Sequence, residues 1–317
     1  MQVFRDIPEN LPRACVAAIG FFDGVHLGHR CLIEQVCEAA AVRGLASGVV
    51  TFPVHPRKVV QADYRPELLT TCGEKLSLLS DTALDCCLLL DFTPEVAGLS
   101  AREFMSLLRD RYNIRALVVG YDHRFGHNRS EGFDDYVCHG QALGMEVILA
   151  HAYVKEGIVP DSSAGAGKGT AVSSSCIRRL LSAGRVSEAA SGLGYDYFLN
   201  GVVVGGHRVG RTIGYPTANL RVDADKLVPC DGVYAVRVTV AGGVYGGMLS
   251  IGCRPTVDNG SDRSIEVHIF GFHADIYGQP IRLSFVRYLR PELKFDSLEG
   301  LVGQLRKDAE EASRCLR

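Results

Sequence analysis

His26 and His29 stand in the stretch GFFDGVHLGH (20–29), with Gly28 between them. On a helix their spacing puts both imidazoles on one face. The apolar run CVAAIGFF (15–22) precedes them and the helical pattern HRCLIEQVCEAAAVRG (29–44) follows, so they mark a strand-to-helix junction. Such a junction presents free backbone N–H groups and the positive end of the helix dipole. Gly24 and Gly28 permit tight turns and the close approach of a ligand. Two imidazoles aimed at one volume can donate to phosphate oxygens and stabilise charge on a departing group. A metal site is a second chemistry for paired histidines. Histidines satisfied within a turn are a third reading.

A different chemistry is written into GGHRVGRTIGYPTAN (205–219), where Gly206, Gly210 and Gly214 recur every four residues. Thr217 and Asn219 lie two residues apart, so an extended chain presents their oxygens on the same side. Mg²⁺ takes oxygen ligands, and substrate phosphates supply much of the charge. Thr217 and Asn219 are therefore expected to orient a magnesium nucleotide; an ST- or Asx-turn is the structural alternative. Glu266, in IEVHIF (265–270), is a carboxylate on a strand. A general base must reach the hydroxyl that it deprotonates. Exposure to solvent is the common fate of glutamate, and the alternation partners Ser264 and His268 leave open which face is buried.

The elements that must position these groups fall into two halves. Apolar runs at 15–22, 46–52, 86–92, 115–122 and 146–151 alternate with helical patterns at 29–44, 73–82, 100–112 and 134–144. Ser100 and Glu103 form a predicted capping box. Near-continuous apolar strands alternating with helices imply a parallel sheet covered on both faces, with ligands outside the carboxyl ends of its strands. The small, polar stretch PDSSAGAGKGTA (160–171) reads as a loop. Beyond Tyr195 period-two patterns take over: GVYAVRVTV (232–240), a turn at 241–243, VYGGMLSIG (244–252), then 264–272 and 280–289. These strands predict a barrel or sandwich. A last amphipathic helix places Leu298, Leu301, Leu305 and Ala309 on one face.

Length and composition bound the rest. The 317 residues predict two domains, and 47% hydrophobic with 22% charged residues is ordinary for a globular chain. A net charge of -2 gives no global case for a nucleic-acid or membrane partner. Eleven scattered cysteines fit a reducing compartment. With no signal-peptide pattern at the start and no apolar run of membrane-spanning length, a cytoplasmic location is expected.

The stretch GFFDGVHLGHR resembles the H-x-G-H signature of nucleotidyltransferases, in the form found in bacterial bifunctional riboflavin kinase/FAD synthetases. TFPVHPRKV (51–59), LTT with EK (69–75), LVVGYDHRFG (117–126) and VSSSCIRRLL (172–181) resemble further blocks of that family, in its order. PTAN after GRTIGY resembles the riboflavin kinase hallmark, and LVPCDGVYAV, SIGCRPTV, IEVHIF, DIYGQPIRLSFV and LRPELKFDSLEGL continue the likeness. The resemblance implies an α/β nucleotidyltransferase domain (1–186), Rossmann-like, with a parallel sheet and helices on both faces. A small β-barrel riboflavin kinase domain with a C-terminal helix (187–317) would follow. The implied activities are phosphorylation of riboflavin to FMN and adenylylation of FMN to FAD, with Mg²⁺ and ATP. His26 and His29 would contact ATP phosphates in a loop with Gly20, Asp23, Gly24 and Gly28. Arg178, Ser173, Ser174 and Ser175 would hold the outer phosphates. Asp122, Arg124 and Phe125 are flavin candidates. Glu266 would be the general base, Gly206, Gly210 and Gly214 would cover the kinase nucleotide, and Arg290 would contact flavin or nucleotide. The chain departs from the family pattern at Phe21, Tyr121, His123, Gly132, Ser175 and Cys176. A single live activity and a non-enzymatic flavin-binding protein are the rival readings. Oligomeric state is not legible.

Overall fold

In the computed structural model of the chain, the described residues are 1–5, 13–61, 63–120, 123–155, 170–206, 210, 213–253 and 263–317. They form two compact units, the first ending at Ser174 and the second running from Ser175.

The first unit is built on β1 (Gln2–Arg5), β2 (Cys15–Ile19), β3 (Ala46–Thr51), β4 (Cys86–Leu89), β5 (Ile114–Gly120) and β6 (Glu146–Ala150). β2, β3 and β4 are buried at every position. Strands without a polar face need cover on both sides, and the crossover helices of a parallel sheet supply it. The sheet is parallel throughout, in the order β1-β4-β3-β2-β5-β6. Its helices are α1 (Leu27–Arg43), α2 (Pro56–Val60), α3 (Cys72–Ser80), α4 (Pro94–Gly98), α5 (Ala101–Tyr112) and α6 (Phe133–Leu143). Ser100 and Glu103 close the predicted capping box on α5, and Thr71 and Glu74 close another on α3. From β2 the chain winds through β3 and β4 to one side, then crosses to β5 on the other. The crevice outside the carboxyl ends of β2 and β5 is thus the switch point, where such sheets bind ligands. A short ladder, β7 (Val154–Lys155) with β8 (Thr170–Ala171), completes the unit.

The second unit opens with α7 (Ser174–Ser182) and α8 (Val186–Leu193). Six antiparallel strands follow: β9 (Phe198–Val204), β10 (Ala218–Val222), β11 (Gly232–Val240), β12 (Gly243–Cys253), β13 (Arg263–Ile269) and β14 (Pro280–Arg290). They close into a barrel in the order β10-β13-β12-β11-β14-β9. Tyr234, Val236, Val238 and Val240 are buried while Arg237 and Thr239 face out, as the alternation predicts. α9 (Leu298–Cys315) covers the outer face through Ala312, packed with Val233, Ala235 and Met248.

Two expectations change. β2 ends at Ile19, short of Phe22, because Phe22 turns into the left-handed region at φ 53°. The two compact units part at Ser174/Ser175. α7 is tied to the barrel unit, where the Cys230 amide donates to the Leu181 carbonyl at 3.3 Å. On α9 the inward line runs through Leu305, Asp308 and Ala312, and Leu298 is exposed.

Candidate active sites

Beyond Ile19 the loop 20–26 is held by its own carboxylate. Asp23 is buried and accepts from the Leu69 amide (3.0 Å), the Thr70 amide (2.9 Å) and the Thr70 hydroxyl (3.2 Å). The Gly24 amide donates back to Thr70 Oγ1 at 3.0 Å. Those bonds support a strained backbone, with Phe22 at φ 53°, Gly24 at φ 80° and Val25 at φ 37°. Asp23 was expected beside the nucleotide; its oxygens are instead engaged in fixing the loop. Ser174 joins the same loop, its hydroxyl donating to the Asp23 carbonyl at 2.9 Å.

His26 is the N-cap of α1. Its Nδ1 accepts from the His29 amide at 3.3 Å, so that nitrogen carries no proton and Nε2 is the donor of the neutral ring. The two imidazoles stack, centroids 3.7 Å apart and 16° between planes. Phe22 meets His29 edge-on at 5.2 Å. A Cβ on Gly28 would lie 3.0 Å from the Val172 carbonyl and 3.1 Å from His26 Nδ1, so the bare backbone here makes room for the stacked ring. Burial pushes the His29 pKa well down, and the charges of His26, Lys75 and His123 push the same way. His29 is therefore a neutral imidazole at neutral pH. Its Nδ1 is buried with no hydrogen-bond partner among the described residues. A buried ring nitrogen left unsatisfied at a switch point marks a place for a ligand.

The other N-terminal candidates disperse. Gly20 donates its amide to the Val50 carbonyl at 3.0 Å. Asp122 and Tyr121 lie outside the described residues. Phe125 is a core residue rather than an open flavin wall: it is buried and stacks on Tyr136 at 4.0 Å. Arg124 donates to the His123 carbonyl at 3.3 Å. Ser173 stands exposed just before α7, while Ser175 and Arg178 lie on α7 within the second unit.

In the barrel the predicted groups converge. Thr217 donates its hydroxyl to Glu266 Oε2 at 3.1 Å. Asn219 sits directly opposite Glu266 in the β10–β13 pairing and is buried. Ile265, Val267 and Ile269 point into the barrel, which leaves Glu266 half-buried on the outer face beside Ser264 and His268. A Cβ on Gly206 would come within 2.3 Å of Asn219 Nδ2, so only glycine admits that amide. Gly210 accepts from the Tyr215 amide at 2.8 Å, and Gly214 turns at φ 80°. Arg290 is engaged elsewhere: its guanidinium is bidentate on Asp308 of α9, at 3.0 and 2.6 Å, with Asp308 buried and Arg290 partly so.

Three residues were given no role in the sequence reading. His268 donates from Nδ1 to the Pro216 carbonyl at 2.8 Å and steadies the entry to β10. Asp308 holds Arg290. Lys75 lies under the histidine loop. The signal for Asp308 was a charge one turn from Leu305 and Ala312; for Lys75 it was a lysine among the apolar positions of α3.

Residues 193–316 match the Flavokinase family, riboflavin kinase, and residues 9–164 match FAD_syn, FAD synthetase. The bifunctional riboflavin kinase/FMN adenylyltransferase of Listeria monocytogenes is 37% identical over 298 residues, covering 93% of this chain and 90% of the relative. The chain belongs to this family. Bifunctional riboflavin kinase/FMN adenylyltransferases of Bacillus subtilis and Escherichia coli K12 are 33% and 34% identical, over 94% and 97% of this chain and 92% and 96% of theirs. A solved structure described as a macrolide-efflux protein from Streptococcus pneumoniae covers 99% of both chains at 32% identity, with a TM-score of 0.85. That description belongs to that protein; among the described residues here no helix is long and apolar enough to cross a membrane. For a bifunctional riboflavin kinase/FMN adenylyltransferase the two constellations are well distributed. The imidazole pair lies in the FAD synthetase stretch, and Thr217, Asn219 and Glu266 lie in the riboflavin kinase stretch.

Proposed function

We propose that the barrel phosphorylates riboflavin at Thr217, Asn219 and Glu266, and that the parallel-sheet unit adenylylates the FMN at the His26–His29 loop. The observation that carries the kinase half is the 3.1 Å bond from Thr217 to Glu266 with Asn219 opposite. Glu266 takes the proton from the terminal ribityl hydroxyl. That oxygen attacks the γ-phosphorus of ATP, and ADP leaves. Phosphoryl transfer asks mainly for positioning and charge stabilisation, so a sparse set of groups suffices. The oxygens of Thr217, Asn219 and Glu266 are a hard-donor set suited to Mg²⁺, which would supply charge neutralisation at the phosphates. A concavity beside Thr217, lined by Val203, Ile269, Phe272, Tyr277 and the carboxylate-bearing Asp275, suits a purine ring with its polar edge.

In the other unit an FMN phosphate oxygen attacks the α-phosphorus of a second ATP, and the bond to the β-phosphate breaks to release pyrophosphate. His26 and His29 donate N–H bonds to the phosphate oxygens. The neutrality of His29 suits a donor that must bind an anion without holding it as an ion pair. The aromatic series Phe21, His55 and Tyr64, with ring centroids 4.7 and 5.2 Å apart and planes inclined by 64° and 45°, gives the carboxyl edge of the sheet an aromatic rim for the flavin.

The test is a time course of flavins from riboflavin and Mg–ATP. The intact chain should show FMN first and FAD after it. His29→Ala should stop at FMN, since loss of one such donor costs about 10²–10³ in rate. Glu266→Gln should form no FMN yet convert supplied FMN to FAD. Loss of both activities in either folded variant would refute the two-site assignment.

A further inference from the structure

Lys75 of α3 is 1% exposed. Its ammonium donates to the Phe52 carbonyl at 2.7 Å, the Phe21 carbonyl at 3.0 Å and Thr51 Oγ1 at 3.1 Å, and lies 4.1 Å from the centre of the Phe21 ring. An ammonium has three N–H groups. All three are placed, so Lys75 has none to offer a ligand. Its acceptors sit where the chain leaves β2 and β3. Asp23 makes the return connection, taking the amides of Leu69 and Thr70 just before α3. Two opposite charges therefore tie the loop and α3 together from both sides. Between the two ties lie the left-handed turns at Phe22 and Gly24, and directly after them come the stacked histidines.

We propose that Lys75 is a positioning residue for adenylyl transfer, its ammonium setting the loop that presents His26 and His29 and lending positive potential to the pair. This rests on the reading that the pair serves that reaction. Burial pushes the Lys75 pKa down to about 8, while Cys72 of its own helix, Asp23 of the loop and Cys87 of β4 oppose that shift. His29 of α1 also faces it and feels its charge. A neutral amine keeps two N–H groups for three oxygens and lends no positive potential. FAD formation should therefore fall as pH rises through about 8. Stability should not fall with it. An unfolded lysine titrates near ~10.4, so above about 8 the unfolded chain holds the extra proton and this group makes stability rise with pH. A rate that drops while the fold tightens is not the signature of unfolding.

The experiment measures FAD formation from supplied FMN and Mg–ATP against pH, with FMN formation from riboflavin by the same chains as the internal control. Wild type should show an alkaline limb near about 8 that the kinase step lacks. Lys75→Met should adenylylate about 10²-fold more slowly at neutral pH, without the limb, so that wild type falls toward it as pH rises. A flat wild-type profile to ~pH 9 overturns the proposal, as does a Lys75→Met chain with the wild-type rate or limb. Where Lys75→Met fails to fold, Lys75→Arg keeps its charge and should lose the limb; an unchanged limb overturns the proposal. His29→Ala separates the two ideas. FAD formation that survives there overturns the reading of the imidazole pair itself. Loss there beside an unaffected Lys75→Met overturns the role of Lys75 alone.

Discussion

A methyl group at position 28 would press on the His26 ring and the Val172 carbonyl at once, at 3.1 and 3.0 Å. Relief requires a shift of a few tenths of an ångström in the imidazole stack. Misplacement by about 1 Å costs on the order of 10²-fold in rate, so Gly28→Ala should slow FAD formation by about tenfold. FMN formation should be unchanged, and comparing the two rates in one preparation checks it. The single residues also show how chemistry and structure divide inside one motif. Asp23 and Gly28 are conspicuous in the loop, yet one ties it down and the other makes room. The Nδ1 of His29 is what remains for a ligand.

Among the elements, α9 docks on the barrel through a charge. Its inward line includes Asp308, whose side chain is 3% exposed and whose carboxylate takes the Arg290 guanidinium and the Gln304 amide. Removing one partner of a buried pair leaves the other uncompensated, at about 3–5 kcal/mol. Asp308→Ala should therefore lower the thermal midpoint of the barrel unit by several degrees, read by calorimetry, even though it lies outside the kinase oxygens. A hydrophobicity pattern placed Leu298 inward because apolar residues were its only criterion. A buried ion pair is invisible to it, since the partner at position 290 is on a strand and eighteen residues away. The strands of the sheet and barrel, by contrast, were legible. Continuous apolar runs and strict alternation each have one economical burial.

At the scale of the molecule the two activities should be separable in solution. His29→Ala makes FMN and Glu266→Gln consumes it, so mixing the two variants with riboflavin and Mg–ATP should restore FAD formation that neither achieves alone. FAD in the mixture, measured by chromatography, would show FMN passing through solvent. Persistent failure with both variants active on their own substrates would show that it does not.

What the sequence determined by itself is everything carried by near neighbours: the strand-to-helix junction at His26, the capping box of α5, the alternation of β11, and the extended run at Thr217–Asn219. Periodicity and spacing act within a few residues, so they survive without a fold. What only the tertiary structure decided is which distant groups meet. Thr217 reaches Glu266 across 49 residues because the barrel closes β10 onto β13. Lys75 reaches Phe21 across 54 residues because α3 packs beneath the ends of β2 and β3. The face of Glu266 was undetermined for the same reason: period two says that residues alternate, and only closure of the sheet says which set is inside.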